Sequence, residues 1–320
     1  MLDAASIRSH PDVAEPAGGS AEWIEAAGGH RQRAALYPAA NPIGTVVISS
    51  GRTEFIEKYF EVIGELLERN FTVLIHDWRG QGLSTRLLPD ALKGHARRFQ
   101  DLVADFGRLL DHYQDRLPKP WISLSHSMGG CLTMLALAQG EGRFSAAIQS
   151  SPMLGLKPQR QPALRVAVWL MDHLGAANLY AFGGPGDPYT ATFEADRLTH
   201  DRARYNRTHA MISEHRDLAL GGVTWGWVES AFEALSWLHR TPTLAEVSIP
   251  VTLIGAGQDN LVDIGGQELV ASRLPHSRQL VIPEAFHEIL VEADDIRAIF
   301  WREFDALAAS ISAAPISPSV

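Results

Sequence analysis

Two kinds of hydrophobic pattern alternate along this chain. Short, continuous apolar runs rich in β-branched residues occupy residues 45–49 (TVVIS), 71–75, 121–125, 146–149, 251–255 and 279–282. Runs of that length and composition are expected of strands buried on both faces. Between them lie stretches with apolar positions at the helical period. In residues 55–69, Phe55, Tyr59, Val62, Ile63, Leu66 and Leu67 fall on one side, and 99–113 is amphipathic. Further helices are expected from Met128 and over 263–273 and 294–308. Residues 22–26 and 31–37 flank Gly28-Gly29 and read as a hairpin. Strands alternating with helices predict an α/β protein with a mostly parallel sheet covered on both faces.

The alternation lapses over residues 153–229. Helix-like pieces at 163–174, 193–207 and 225–238 are joined by Gly/Pro turns, with no convincing buried strand. This stretch reads as a helical insertion, a cap over the carboxyl edge of the sheet, which leaves 21–152 and 230–310 as the core. Residues 1–20, rich in Ala, Pro, Gly and Ser, are expected to be loose, and 311–320 to fray.

Composition narrows the class. The chain has 320 residues, a formal net charge of −9, 46% hydrophobic and 20% charged residues, which fits an ordinary globular protein. The acidic balance argues against a nucleic-acid partner. Cys131 is the lone cysteine, so no intrachain disulfide can form. No secretory leader and no apolar run of membrane-spanning length is present, which points to the cytoplasm.

The candidate chemistry centres on WISLSHSMGG, residues 121–130. An apolar run meets a helix-like stretch through Ser125-His126-Ser127-Met128-Gly129, a close variant of the G-x-S-x-G turn that lifts a serine hydroxyl above the end of a sheet. Ser125 stands at the first glycine position, where a small side chain is needed because strand and helix nearly touch. A serine nucleophile needs a base, an orienting acid and an oxyanion hole. In chain order after Ser127, Asp259 follows the run at 251–255, and His287 follows the run at 279–282. Asp263 is a second acid candidate, although its position suits a helix N-cap. His126 neighbours the serine on the turn and points away from it. The backbone N–H groups of Met128 and of Arg52, in the loop after residues 45–49, are the candidate oxyanion donors. HDWRGQGLS (76–84) lacks the third small residue and the strand-to-helix junction of a dinucleotide site, and reads as a structural loop. His209 and His215 lack metal-ligand spacing.

With these pieces assembled, the chain resembles the α/β-hydrolase fold, and within it the bacterial lysophospholipases and monoacylglycerol lipases grouped as serine aminopeptidase-like hydrolases. SGRTEFIEKY, DWRGQGLS, SHSMGG, GQDNLVD and EAFHEIL carry the likeness across residues 40–310. LTHDRARYNRTHAM and GGVTWGWVESAF look like the lysophospholipase branch. Two departures stand out: Ser50 replaces a histidine common in relatives, and Ser125 the first elbow glycine. The resemblance implies an eight-stranded, mostly parallel sheet flanked by helices with a helical cap. It implies Ser127 as nucleophile, Asp259 as acid, His287 as base, and Arg52 and Met128 as oxyanion donors. The implied function is hydrolysis of lipid carboxylic esters through an acyl-enzyme, without metal or organic cofactor. A short-chain carboxylesterase, a lactonase or an aminopeptidase-like hydrolase is the alternative. Trp169, Phe182, Trp225 and Trp227 line an acyl tunnel or form the insertion's own core. Arg204, within the cluster Arg197, Arg202, Arg204 and Arg207, meets a phosphate head group or an anionic membrane at its inner face, or else pairs with Glu194, Asp196 and Asp201.

Overall fold

The computed structural model describes residues 3–157, 162–182, 184 and 186–312. Its centre is an eight-stranded sheet in the order β1-β2-β4-β3-β5-β6-β7-β8. β1 (Ser20–Glu25) and β2 (Arg31–Tyr37) form an antiparallel hairpin, and Gly28 and Gly29 between them take positive φ of 72° and 75°. β2 is antiparallel to β4. β3 (Gly44–Ser49), β4 (Phe71–His76), β5 (Trp121–His126), β6 (Ala146–Ser150), β7 (Val251–Ala256) and β8 (Ser277–Ile282) run parallel.

The continuous apolar runs have a direct cause. Successive strand residues point to opposite faces, and both faces are covered. Val46 and Ile48 of β3, Val73 and Ile75 of β4, and Ile122 and Leu124 of β5 pack into one core. Helices α1 (Phe60–Glu68) and α9 (Asp294–Ser312) cover it. Their neighbours Val47, Leu74 and Trp121 enter a second core, under α2 (Phe99–Tyr113), α3 (Met128–Ala138) and α8 (Ile264–Ala271). α3 is buried along its whole length, including Cys131, whose thiol burial pushes up to about 12.

Between β6 and β7 the chain makes a helical excursion: α4 (Pro162–His173), α5 (Phe193–Asp196), α6 (Arg202–Glu214) and α7 (Trp225–Leu238). The continuous helix expected over 193–207 is broken. Arg197 is left-handed, with φ 48°, and residues 198–200 turn to dock on the loop after β8. There the Glu288 N–H donates to Leu198 O at 2.9 Å, and Thr199 Oγ1 donates to Val291 O at 2.7 Å. Ala231, Leu235 and Leu238 of α7 join the core shared with α3, so this helix straddles the expected boundary at 229. Residues 3–10, read from composition as loose, are tied down. The Ala5 N–H donates to Ala21 O at 2.9 Å, Arg33 Nη1 donates to Ser6 O at 3.0 Å, and Arg8 pairs with Asp217. The expected frayed tail falls, from residue 313, outside the described residues.

Candidate active site

Four strands end on one edge, and the loop after each delivers part of the site. β5 ends at Ser127, whose φ of 50° and ψ of −117° form a sharp turn before α3. A non-glycine residue in this region is strained and is held only by its surroundings. The Ser127 N–H donates to Ser150 O at 3.1 Å, and Ser127 O accepts from the Met153 N–H at 2.9 Å. Gly129 explains the small residue after the serine: a Cβ there would lie 2.1 Å from Ser49 O and 2.5 Å from Ser50 O.

The loops after β7 and β8 bring Asp259 and His287 to that serine. His287 Nε2 lies 2.9 Å from Ser127 Oγ, and His287 Nδ1 lies 2.6 Å from Asp259 Oδ2. Asp259 Oδ1 accepts from the N–H groups of Leu261 at 2.7 Å and Val262 at 3.0 Å. Burial opposes ionisation of this carboxyl, but the His287 ring and the two N–H groups outweigh it, and Asp259 stays below its usual range. An ionised Asp259 fixes the tautomer: Nδ1 carries the proton, which leaves Nε2 to accept from the serine hydroxyl. Such an arrangement can move the hydroxyl proton onto the ring as oxygen attacks a carbonyl. Asp263 lies elsewhere, accepting from the Gly265 N–H at 3.3 Å as the N-cap of α8.

Met128 opens α3, so its N–H has no acceptor within the helix. The loop bearing Arg52 is braced on several sides. Trp78 Nε1 donates to Ser50 O at 2.8 Å, and Gln81 Nε2 donates to Gly51 O at 2.7 Å. The Gly51 N–H donates to the Glu54 carboxylate. HDWRGQGLS is therefore a support for this loop. Asp77 is its hub, accepting from the Ile56 N–H at 2.9 Å, the Leu83 N–H at 2.9 Å and Arg33 Nε at 2.7 Å.

A buried charge relay that the sequence reading missed lies under the site. Lys58 Nζ sits 2.9 Å from Glu54 Oε1 and 2.6 Å from Glu288 Oε1, tying the Arg52 loop to the residue after His287. Burial disfavours the Glu54 charge, but Lys58 and His126 more than offset this and hold it down to about 2. Burial lowers His126, which is 3.7 Å from Glu54 and whose Nδ1–H donates to Ser150 O at 3.1 Å. The i,i+4 spacing of Glu54 and Lys58 was the available signal.

A cavity of about 330 Å³ opens at Ser127 and His287, with Met153, Leu156, Leu164, Phe182, Trp227 and Phe232 among its walls. That is the size and character of a small-molecule site. Of the expected substrate contacts, Phe182 and Trp227 belong to this wall. Trp225 stands behind it, its ring 5.4 Å from that of Phe182. Trp169 lies in a separate outer groove with Arg165 and Val166. Arg204 is remote from the cavity wall, because its guanidinium is consumed by Glu61 at 2.7 Å, Asp201 at 2.8 Å and Asp294 at 2.6 Å. Arg202 pairs with Glu194, and Arg207 with Glu61 at 2.8 Å. No group of three or more His, Cys, Asp or Glu side chains suited to a metal occurs among the described residues.

Comparison with known proteins bears on the family and the fold. The family model described as serine aminopeptidase, S33, matches residues 40–294. Lysophospholipase L2 of Escherichia coli is 33% identical over 267 residues, 79% of this chain and 77% of that protein. A monoacylglycerol lipase of Mycolicibacterium smegmatis is 25% identical over 80% of this chain and 85% of its own. Among solved structures, a soluble variant of the Saccharomyces cerevisiae monoglyceride lipase superposes with a TM-score of 0.72 at 16% identity, covering 92% of this chain and 97% of its own.

Proposed function

Because the chain belongs to the serine aminopeptidase S33 family and has an α/β-hydrolase fold, we propose that it hydrolyses carboxylic esters of lipids, lysophospholipid or monoacylglycerol, through an acyl-enzyme on Ser127. The Ser127–His287–Asp259 chain of 2.9 and 2.6 Å contacts is the observation that carries this reading. His287 takes the serine proton as Oγ attacks the ester carbonyl. Asp259 holds the ring and stabilises its charged form. The N–H groups of Met128 and Arg52 receive the oxyanion, a contact of which each donor contributes about 2.7–4 kcal/mol. Protonated His287 then gives its proton to the departing alcohol, and water, activated by the same ring, releases the fatty acid. The apolar wall of Met153, Leu164, Trp227 and Phe232 suits an acyl chain.

The excursion from α4 to α7 acts as the cap in this reading. It exposes Val166, Trp169, Leu170, Leu174, Leu179 and Phe182, from 46% to 71%, and Phe182 also lines the cavity. A lipid surface is the occupant suited to an apolar face continuous with an acyl site. Among the described residues no helix is long and apolar enough to cross a membrane, so the contact would be peripheral, at the cytoplasmic face. The test is fatty-acid release from a lysophospholipid and a monoacylglycerol of equal chain length, beside a p-nitrophenyl ester series and a Ser127→Ala control. Turnover of short esters alone would remove the lipid assignment. Wild-type rates matching the mutant would remove the enzyme.

A further inference from the structure

Among the described residues, several buried or half-buried arginines are neutralised by carboxylates. Arg33 meets Glu57 and Asp77, Arg79 meets Asp105, and Arg297 meets Glu61 and Glu65. Arg86 lacks a carboxylate but gives its donors to four carbonyl oxygens, of Gly80, Gly82, Asp217 and Ala219. Arg52 is different. Its guanidinium makes one hydrogen bond, Nη1 to Gly221 O at 2.8 Å, and sits 6.0 Å over the Trp227 ring. Among the described residues no carboxylate pairs with it. Burial alone acts on it, lowering its pKa to about 10. Arg52 is half-buried and faces open space, and its guanidinium offers five N–H donors in a planar fork, most of them free to meet a ligand.

Position says what would complete it. Arg52 lines the Ser127 cavity and also an adjoining cavity of about 460 Å³, walled by Thr53, Lys58, Thr208 and the 219–222 segment, with the carboxylates of Asp187, Asp196 and Glu288 also on its wall. In the reading above, the same residue's backbone N–H is one of the two oxyanion donors. An anion held by the side chain is thus joined to the reacting carbonyl by a short spacer, as glycerol joins phosphate to ester.

We propose that the Arg52 guanidinium is the subsite for the phosphate of a lysophospholipid, whose head group occupies the adjoining cavity beside the Ser127 pocket. This rests on the lipid-ester reading above and selects within it. Fork-shaped, charge-assisted bonding to phosphate is what arginine does better than lysine. A brace between the Arg52 loop and Gly221 is the competing role, and it would serve charged and neutral substrates alike.

The experiment compares kcat/KM for a palmitoyl lysophosphatidylcholine and for palmitoyl monoacylglycerol in the same micelles, with wild type, Arg52→Gln and Arg52→Lys. Arg52→Gln should lower the lysophospholipid-to-monoacylglycerol ratio roughly tenfold or more, the scale of a lost charge-assisted hydrogen bond. Arg52→Lys should restore part of it. An unchanged ratio, or equal losses on both substrates, overturns the proposal. Wild type active on monoacylglycerol but not on the lysophospholipid overturns it alone; wild type inert on both removes the parent reading instead. If Arg52→Gln does not fold, wild type decides. Glycerol 3-phosphate should inhibit monoacylglycerol hydrolysis where glycerol does not, and equal effects overturn the proposal.

Discussion

At the scale of single residues, the site is a set of contacts that tolerate little change. Ser127→Ala removes the hydroxyl 2.9 Å from His287 and should cost about 10⁶-fold in kcat. Asp259→Asn leaves the shape but reverses the tautomer, and about a 10⁴-fold loss is expected. Ester hydrolysis by purified variants, with melting curves to show intact folds, measures both. Gly129→Ala acts through the backbone instead. Its Cβ would stand 2.1 Å from Ser49 O, so α3 must move away from β3. We expect loss of soluble protein or of activity, read from yield and circular dichroism. The meeting of Ser127, Asp259 and His287 was legible in the sequence because each follows a strand, in fixed chain order. The Glu54–Lys58–Glu288 relay was not, because Glu288 lies far from its partners in sequence and only folding brings its carboxylate to Lys58.

Among elements, the instructive case is the contact between α6 and the core. The arginine cluster is basic in sequence, yet two of its charges, Arg204 and Arg207, are spent on Glu61 of α1, which Arg297 shares. Local pattern shows only part of this: Glu194 and Asp201 answer Arg202 and Arg204 from nearby, whereas Glu61 and Asp294 lie on distant segments. It cannot show why the helix breaks at Arg197, where docking on the loop after β8 outweighs helix propensity. Glu61→Ala leaves three guanidinium groups short of a partner. We expect about 1–3 kcal/mol of local destabilisation, seen as faster amide exchange in α6 than in α3. Equal rates in mutant and wild type would mean that the pairs hold nothing in place.

For the whole molecule, acid sensitivity is built into the sheet. His76 ends β4 inside the core, its Nδ1 2.5 Å from Gln32 Nε2, and burial lowers it to about 3 from an ordinary 6.5. Between those values the unfolded chain binds a proton that the folded chain refuses, so stability rises with pH across this window and falls on acidification. Glu54, held to about 2, acts with the same sign below its ordinary 4.5. Unfolding temperature should therefore fall from pH 7 towards pH 4, and His76→Gln should flatten the first part of that fall. The exposed apolar face of α4 gives a second global expectation. Wild type should co-float with phosphatidylglycerol-containing vesicles, and replacing Trp169 and Leu170 with serine should leave it in the aqueous fraction.

Cys131 carries a practical consequence. Alkylating reagents attack thiolates, and this buried thiol, with a pKa near 12, offers almost none at neutral pH. The native chain is therefore expected to take up little maleimide dye at neutral pH, which a labelling assay on folded protein checks. A cysteine placed at Leu174, which is 71% exposed, would carry the only fluorophore. Any displacement of the segment at the end of α4 on adding substrate could then be followed by its emission without first removing the natural thiol.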